Sequence, residues 1–286
     1  MPGSKRRLLA LGGVLALMIL AVAVLVIIPR SEAILNARHE LPTMSVRAAT
    51  TAPAIALGAH LTTVTACATC HGEGLTGSMQ TVAGSPVYAP NLTVVAKRRS
   101  DAQLESAIRA GLRANGTSEL AMPATVYGAF SDDELAAIMG YLRSLPASGT
   151  ALNQPSPNIL LRAYLVAGLY RTELQRMAQA RPALDAGPRF AAGRHLAMIA
   201  CGQCHGADLR GGHGAPGPDL TVRGYYSRGQ FHILMRTGEG VEDMHMDLMA
   251  HTAVMSFRHF DDAEIDAIYD YLDARDRILA IAAGKR

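Results

Sequence analysis

The stretch ACATCHGEGLTG occupies residues 66–77, and the stretch ACGQCHGADLRG occupies residues 200–211. The two segments share the pattern ACxxCHGxxLxG, and together they contain all four cysteines of the 286-residue chain. In each segment the two cysteines are three positions apart and are followed at once by a histidine. This spacing is the attachment pattern of c-type haem. A chain that uses its thiols in this way leaves none for a structural disulfide.

The pattern has a mechanical basis. Two thioether bonds fix a haem against one helical turn, and the adjacent histidine directs its imidazole at the iron as the proximal ligand. The sequence therefore predicts two covalently bound haem c groups. The first is assigned to Cys67, Cys70 and the iron ligand His71, and the second to Cys201, Cys204 and the iron ligand His205.

Paired cysteines have two other common uses in proteins. A zinc site would need two further ligands for each motif, and a thioredoxin-like dithiol would need a βαβ setting. Neither pattern is visible in the sequence, so haem attachment is the favoured interpretation.

The N-terminus carries an apolar segment. The basic residues of SKRR, Ser4 to Arg7, precede 21 uncharged and mostly apolar residues, Leu8 to Ile28. As a helix these would span roughly 30 Å, the thickness of the hydrocarbon core of a bilayer. Residues 1–33 are therefore predicted to be a retained membrane anchor with its basic end in the cytoplasm. A cleaved signal peptide, with a weak site at Ser31-Glu32-Ala33, is the alternative.

The chain is also an internal repeat. Each motif is preceded by a Gly-x-His-Leu segment and followed by Pro-x-Leu-Thr, a helix start with capping-box spacing, and a closing amphipathic helix. The fold class predicted is therefore all-α, with an N-terminal transmembrane helix followed by two helical domains, residues 50–147 and 188–286. The repeated histidines, His60 and His195, are expected on the helix surface or near the haem propionates.

Residues 148–187 are predicted to be a linker that contains one helix, Ile159 to Gln179. Its arginine and glutamate residues make it too charged for a second span. It is expected to pack across the two domains or to lie on the membrane surface.

At this point the chain resembles class I cytochrome c domains in tandem, and in particular the membrane-bound cytochrome c subunits of periplasmic alcohol, aldehyde and gluconate dehydrogenases. The resemblance covers about Ala54 to Pro146 and Arg189 to Arg275. It is carried by the two CxxCH motifs, by PNLT, and by MPATVYGAFSDDELAAIMGYLRSLP. Those subunits commonly carry three haems, whereas this chain has two motifs and places its apolar segment at the N-terminus.

The resemblance implies a methionine as the distal ligand of each iron. In the first domain this is Met122, within AMPAT. It also implies that the carbonyl groups of Pro90 and Pro218 accept the hydrogen bond from the other ring nitrogen of each proximal histidine. That bond fixes the ring orientation and raises the basicity of the ligand.

The distal ligand of the second haem is less clearly indicated. Met255 is preferred, because it leads directly into the closing helix and lies about as far from the second haem histidine as Met122 does from the first. Met249 instead matches Met122 in its distance from Gly238, the glycine near the end of the preceding helix. The same region also contains Met235, Met244, His245, Met246 and His251.

These features predict an electron carrier rather than an enzyme. It would act in the periplasm, anchored by a single span in a bacterial inner membrane, between a dehydrogenase or quinol-oxidising complex and a terminal oxidase or soluble cytochrome. The alternative is a di-haem peroxidase-like enzyme with an open or displaceable ligand at the second haem. A haem-based sensor ranks last, because only seven residues precede the apolar segment. The net charge of +3 is too small to indicate a nucleic acid partner.

Overall fold

A computed structural model describes residues 2–211, 217–241 and 247–284. The chain begins with one long apolar helix: α1, Pro2–Val22, continues through a π-helical turn at Ala23–Ile27 into α2, Ile28–Leu35. Within the described residues, one helix is long and apolar enough to cross a membrane, at Ala10–Leu35. The apolar helix therefore extends beyond the predicted end at Ile28.

The first domain is built on a crossing of two helices. Helix α3, Ala52–Val64, packs against α8, Asp132–Ser144. A Cβ atom on Gly58 would lie 2.0 Å from the carbonyl oxygen of Ala137, so only glycine permits this approach. Along the chain, four shorter α-helices separate α3 from α8: α4 at Cys67–His71, α5 at Leu92–Arg98, α6 at Asp101–Arg109 and α7 at Ala124–Tyr127.

The second domain repeats this construction. Helix α11, Ala191–His205, packs against α14, Asp262–Ala282. A Cβ atom on Gly193 would lie 1.9 Å from the carbonyl oxygen of Ala267. The remaining helices are α12 at Arg228–Thr237 and α13 at Asp247–Met255. The repeated Gly-x-His-Leu segment thus marks the helix crossing of each domain.

Among the described residues of the two domains, four helices begin with capping boxes, and the sequence predicts two of these. In α6 and α12 a serine accepts from the backbone N–H three residues on, and the glutamine there binds back to the serine N–H. Helices α8 and α14 begin in the same way with a glutamate in the third position. Each box satisfies two N–H groups that the helix cannot bond internally.

The prediction of an all-α fold is wrong in one respect. Domain 1 contains an antiparallel hairpin of β1, Ser78–Val82, and β2, Ser85–Ala89. Its two-residue turn places Ala83 and Gly84 at φ +46° and +75°. Positive φ at both positions is what a tight turn that matches the strand twist requires.

The linker contains two short helices instead of the one predicted. Helix α9, Ile159–Val166, ends before Gly168, whose φ of +71° directs the chain toward α10, Glu173–Met177. Leu161 and Leu165 of α9 are buried against the end of α2 and the hairpin. The linker helices therefore pack on domain 1 and on the apolar helix.

Candidate haem-binding sites

Both CxxCH motifs lie at the end of a helix that a glycine terminates. His71 is the last residue of α4, and His205 is the last residue of α11. Gly72 and Gly206 follow with φ of +76° and +82°. The carbonyl of each histidine then accepts a 2.7 Å hydrogen bond from a backbone N–H six residues on. The repeated glycines thus turn the chain away from the histidine ring in the same manner twice.

Each proximal histidine is oriented by a proline carbonyl. His71 Nδ1 lies 2.8 Å from the carbonyl oxygen of Pro90, and His205 Nδ1 lies 2.8 Å from that of Pro218. A carbonyl can only accept, so Nδ1 carries the proton and Nε2 keeps its lone pair. Burial lowers the pKa of both histidines, which favours the neutral imidazole that binds iron.

Cys201 is buried, and Cys67, Cys70 and Cys204 are partly buried. Burial raises the pKa of Cys67 to about 11 and that of Cys201 to about 12, and it also raises the pKa values of Cys70 and Cys204. Raised pKa values of this kind keep the thiols protonated at neutral pH while nothing is bound to them. Among the described residues, no group of three or more His, Cys, Asp or Glu side chains is placed so that it could hold a metal ion.

Met122 lies in the loop before α7 and packs, partly buried, against the hydrophobic core of domain 1. Two other methionines of domain 1 lie elsewhere. Met139 is fully buried on the core face of α8, and Met79 is exposed on β1. Of these three methionines, Met122 is the one that lies partly buried in a loop.

In domain 2 the two methionine candidates have different surroundings. Met249 is partly buried against the core of the domain, whereas Met255 is 52% exposed at the end of α13. A Cβ atom on Gly238 would lie 2.7 Å from Cα of Ala250, the residue after Met249. Met249 is therefore the more buried of the two methionines, whereas the sequence prefers Met255.

A similar close approach occurs in domain 1, at Gly111. A Cβ atom on Gly111 would lie 3.3 Å from Cβ of Ala124, two residues after Met122. In both domains the glycine after the preceding helix therefore lies close to a residue that follows the methionine, and Glu173 lies closer still to Gly111. Met235 is buried in the core and His251 is exposed. Met244, His245 and Met246 lie outside the described residues.

The two motifs face each other across the domain interface, which the sequence did not predict. Gln203, between the cysteines of the second motif, places its side-chain Nε2 3.9 Å from Cys70 Sγ of the first. Tyr127 Oη lies 2.9 Å from the carbonyl oxygen of Thr65 and 3.3 Å from Gln203 Oε1. Burial holds the pKa of Tyr127 well above its usual range, so the hydroxyl donates. A partly buried polar contact therefore joins the two attachment sites.

The family profile for cytochrome c matches residues 55–146 and 190–275. The chain belongs to the cytochrome c family. Each matched region of this cytochrome c contains one CxxCH motif, so the two domains stand in tandem. No curated protein matches the chain.

The donor set of each cytochrome c domain fits covalently bound haem. Two cysteines stand one helical turn apart, and the next residue is an imidazole whose Nδ1 is held by a carbonyl. Cytochrome c domains bind haem c and transfer electrons through it. Two such domains are consistent with two haems.

Proposed function

We propose that this protein is a di-haem electron carrier of the periplasmic side of a bacterial inner membrane. It would pass electrons between a membrane-bound dehydrogenase or quinol-oxidising complex and a terminal oxidase or soluble cytochrome. The observation that carries the proposal is the apposition of the two CxxCH motifs. Because Gln203 of one motif contacts Cys70 of the other, two haems held there would be close neighbours.

Each domain supplies a set of residues with defined roles. When bound, the haems supply the one-electron iron couple. The cysteines would hold them, the two histidines would ligate iron from one side, and Pro90 and Pro218 would orient the histidines. Met122 would ligate the first iron from the other side. For the second iron the ligand would come from α13, and burial favours Met249 over Met255.

Contacts in the last turns of the apolar helix support a retained anchor. Ser31 is fully buried, and its hydroxyl accepts a 2.9 Å hydrogen bond from Arg162 of α9. Arg162 also forms a 2.7 Å ion pair with Glu32. The residues of the candidate cleavage site are therefore part of the packed structure. Cleavage after Ala33 would remove Ser31 and Glu32 and with them these contacts to Arg162.

No contact among the described residues favours the peroxidase alternative over electron transfer. A peroxidase would need an iron with an open or displaceable distal position. The region that would have to provide it includes residues outside the described ranges.

Purification of the full-length protein from its native membranes tests the proposal. The intact mass should exceed that of the polypeptide by two haems, and a redox complex should co-purify. Adding the substrate of that complex should reduce both haems, and a downstream oxidase should reoxidise them. Rapid turnover of hydrogen peroxide, with no exchange of electrons with a redox complex, would overturn the proposal in favour of the peroxidase.

A further inference from the structure

A buried carboxylate lies in the linker, outside both regions that match the cytochrome c family. Glu173 begins α10 and is fully buried. Its backbone N–H donates a 2.8 Å hydrogen bond to the carbonyl oxygen of Glu119 in domain 1. A buried carboxylate is costly unless its oxygens are hydrogen-bonded and its charge is paired. Its partners therefore indicate what it does.

Glu173 binds the chain just after Met122. Its Oε1 accepts a 2.6 Å hydrogen bond from the backbone N–H of Thr125, and the Thr125 hydroxyl donates to the same oxygen. Its Oε2 accepts a 2.8 Å hydrogen bond from Arg176 Nε, and Arg176 Nη2 is a second partner. The carboxylate is thus balanced by one cation and fixes one end of the methionine loop.

The linker also binds the chain just before Met122. The carbonyl oxygen of Leu120 accepts hydrogen bonds from Tyr170 Oη at 2.6 Å and from Arg176 Nη2 at 2.7 Å. Residues 120–125 are therefore held at both ends by side chains of the linker, with Met122 between them. Arg176 contacts both ends, because it also pairs with Glu173.

We propose that Glu173, Arg176 and Tyr170 are positioning residues for the distal ligand of the first haem. They would hold the loop so that the Met122 thioether stays at the iron, and the linker would thereby set the stability of that ligation. This inference rests on the proposed function, since it takes Met122 as the ligand. Loss of thioether ligation favours ferric iron, so a loosened loop should lower the potential of the first haem only.

The test compares near-isosteric variants of the full-length holoprotein. Glu173→Gln keeps an acceptor for Thr125 but removes the charge that pairs with Arg176. Asp101→Asn is the matched control. Asp101 also accepts from a backbone N–H, that of Ala48 at 3.1 Å, and pairs with an arginine in the same domain. It makes none of the contacts described for residues 120–125.

The readouts are the sulfur-to-iron charge-transfer absorbance of the oxidised protein and the two haem potentials. In Glu173→Gln, the first haem's contribution to the charge-transfer absorbance should disappear at a lower denaturant concentration than in the wild type. The potential of the first haem should also be lower, and both readouts of the second haem should be unchanged. Asp101→Asn should not shift the potential. Tyr170→Phe, which removes only the hydroxyl bound to Leu120, should show the same change more weakly and serves if Glu173→Gln misfolds.

Two results would overturn the inference. One is an unchanged absorbance and potential in both linker variants, and the other is an equal change in Asp101→Asn. The variant Met122→Ala distinguishes failure of the linker inference from failure of the assignment of Met122 as ligand. If Met122→Ala removes the first haem's absorbance while the linker variants do not alter it, the inference alone fails. If Met122→Ala has no effect, Met122 is not the ligand.

Discussion

His60 Nε2 in the first domain lies 2.8 Å from Glu264 Oε1 in the second. The reciprocal pair is His195 Nε2 and Glu134 Oε1, at 2.7 Å. Each glutamate also completes the capping box of a closing helix. The repeated histidines, expected on the helix surface or near the propionates, thus bind the two domains to each other in a pseudo-twofold arrangement.

Removing one of these histidines should loosen the interface by a modest amount. The side chains are 30% exposed, and ion pairs with this exposure contribute about 0.2–1 kcal/mol. We expect His195→Ala to lower the free energy of unfolding by an amount in that range, measured by denaturant titration. A double-mutant cycle with Glu134→Gln checks the contact itself. If the losses of the two single variants add up to the loss of the double variant, the two side chains do not interact.

Acid should weaken the same interface. Burial raises the pKa of Glu134, but the hydrogen bond from His195 and the capping contacts outweigh it, so the pKa lies below the ordinary value of 4.5. A carboxylate whose pKa is lowered by folding stabilises the protein above its unfolded pKa. That stability is lost as the pH falls through the folded pKa. Unfolding curves between pH 3 and about pH 6 should therefore show a smaller acid dependence for Glu134→Gln than for the wild type.

The glycines at the helix crossings should not tolerate a side chain. We expect Gly58→Ala and Gly193→Ala to destabilise the protein by about 1–3 kcal/mol or more, because the new methyl group would overlap a backbone carbonyl. Gly229→Ala in α12 is the control, since nothing lies within 4 Å of its Cβ position. That change should be neutral or stabilising by up to about 1 kcal/mol. Thermal unfolding of the three variants is the measurement, and equal losses would argue against close crossing.

Variants of α13 decide the second distal ligand. Met249→Ala should leave the haem attached but remove its share of the sulfur-to-iron absorbance, because Met249 borders the core. Met255→Ala should leave the spectrum intact, because Met255 is exposed. The reverse result would show that the spacing from His205, which favours Met255, is the better guide. If neither variant alters the spectrum, another residue or an open position serves the second iron.

Local patterns were predictable from the sequence, and contacts between distant segments were not. The capping boxes of α6 and α12 depend on residues three positions apart, so they are visible in the chain. The hairpin was not predicted, because each of its strands is only five residues long, which is too short to show a clear alternation of apolar and polar residues. The roles of His60 and Glu173 depend on partners far away in the sequence, and neither side chain has a local signature.

The segment between the apolar helix and α3 is held against domain 1 by backbone hydrogen bonds. Arg38 forms a β-bridge with Thr117. Val46 N–H donates to Glu105 at 3.0 Å, and Ala49 N–H donates to the carbonyl oxygen of Ala136 at 2.8 Å. With α1 in a bilayer, the first domain could not swing away on a flexible tether. In the proposed role it would act as a stationary relay to which a soluble acceptor would have to diffuse, so encounter rates would depend on the mobility of that acceptor.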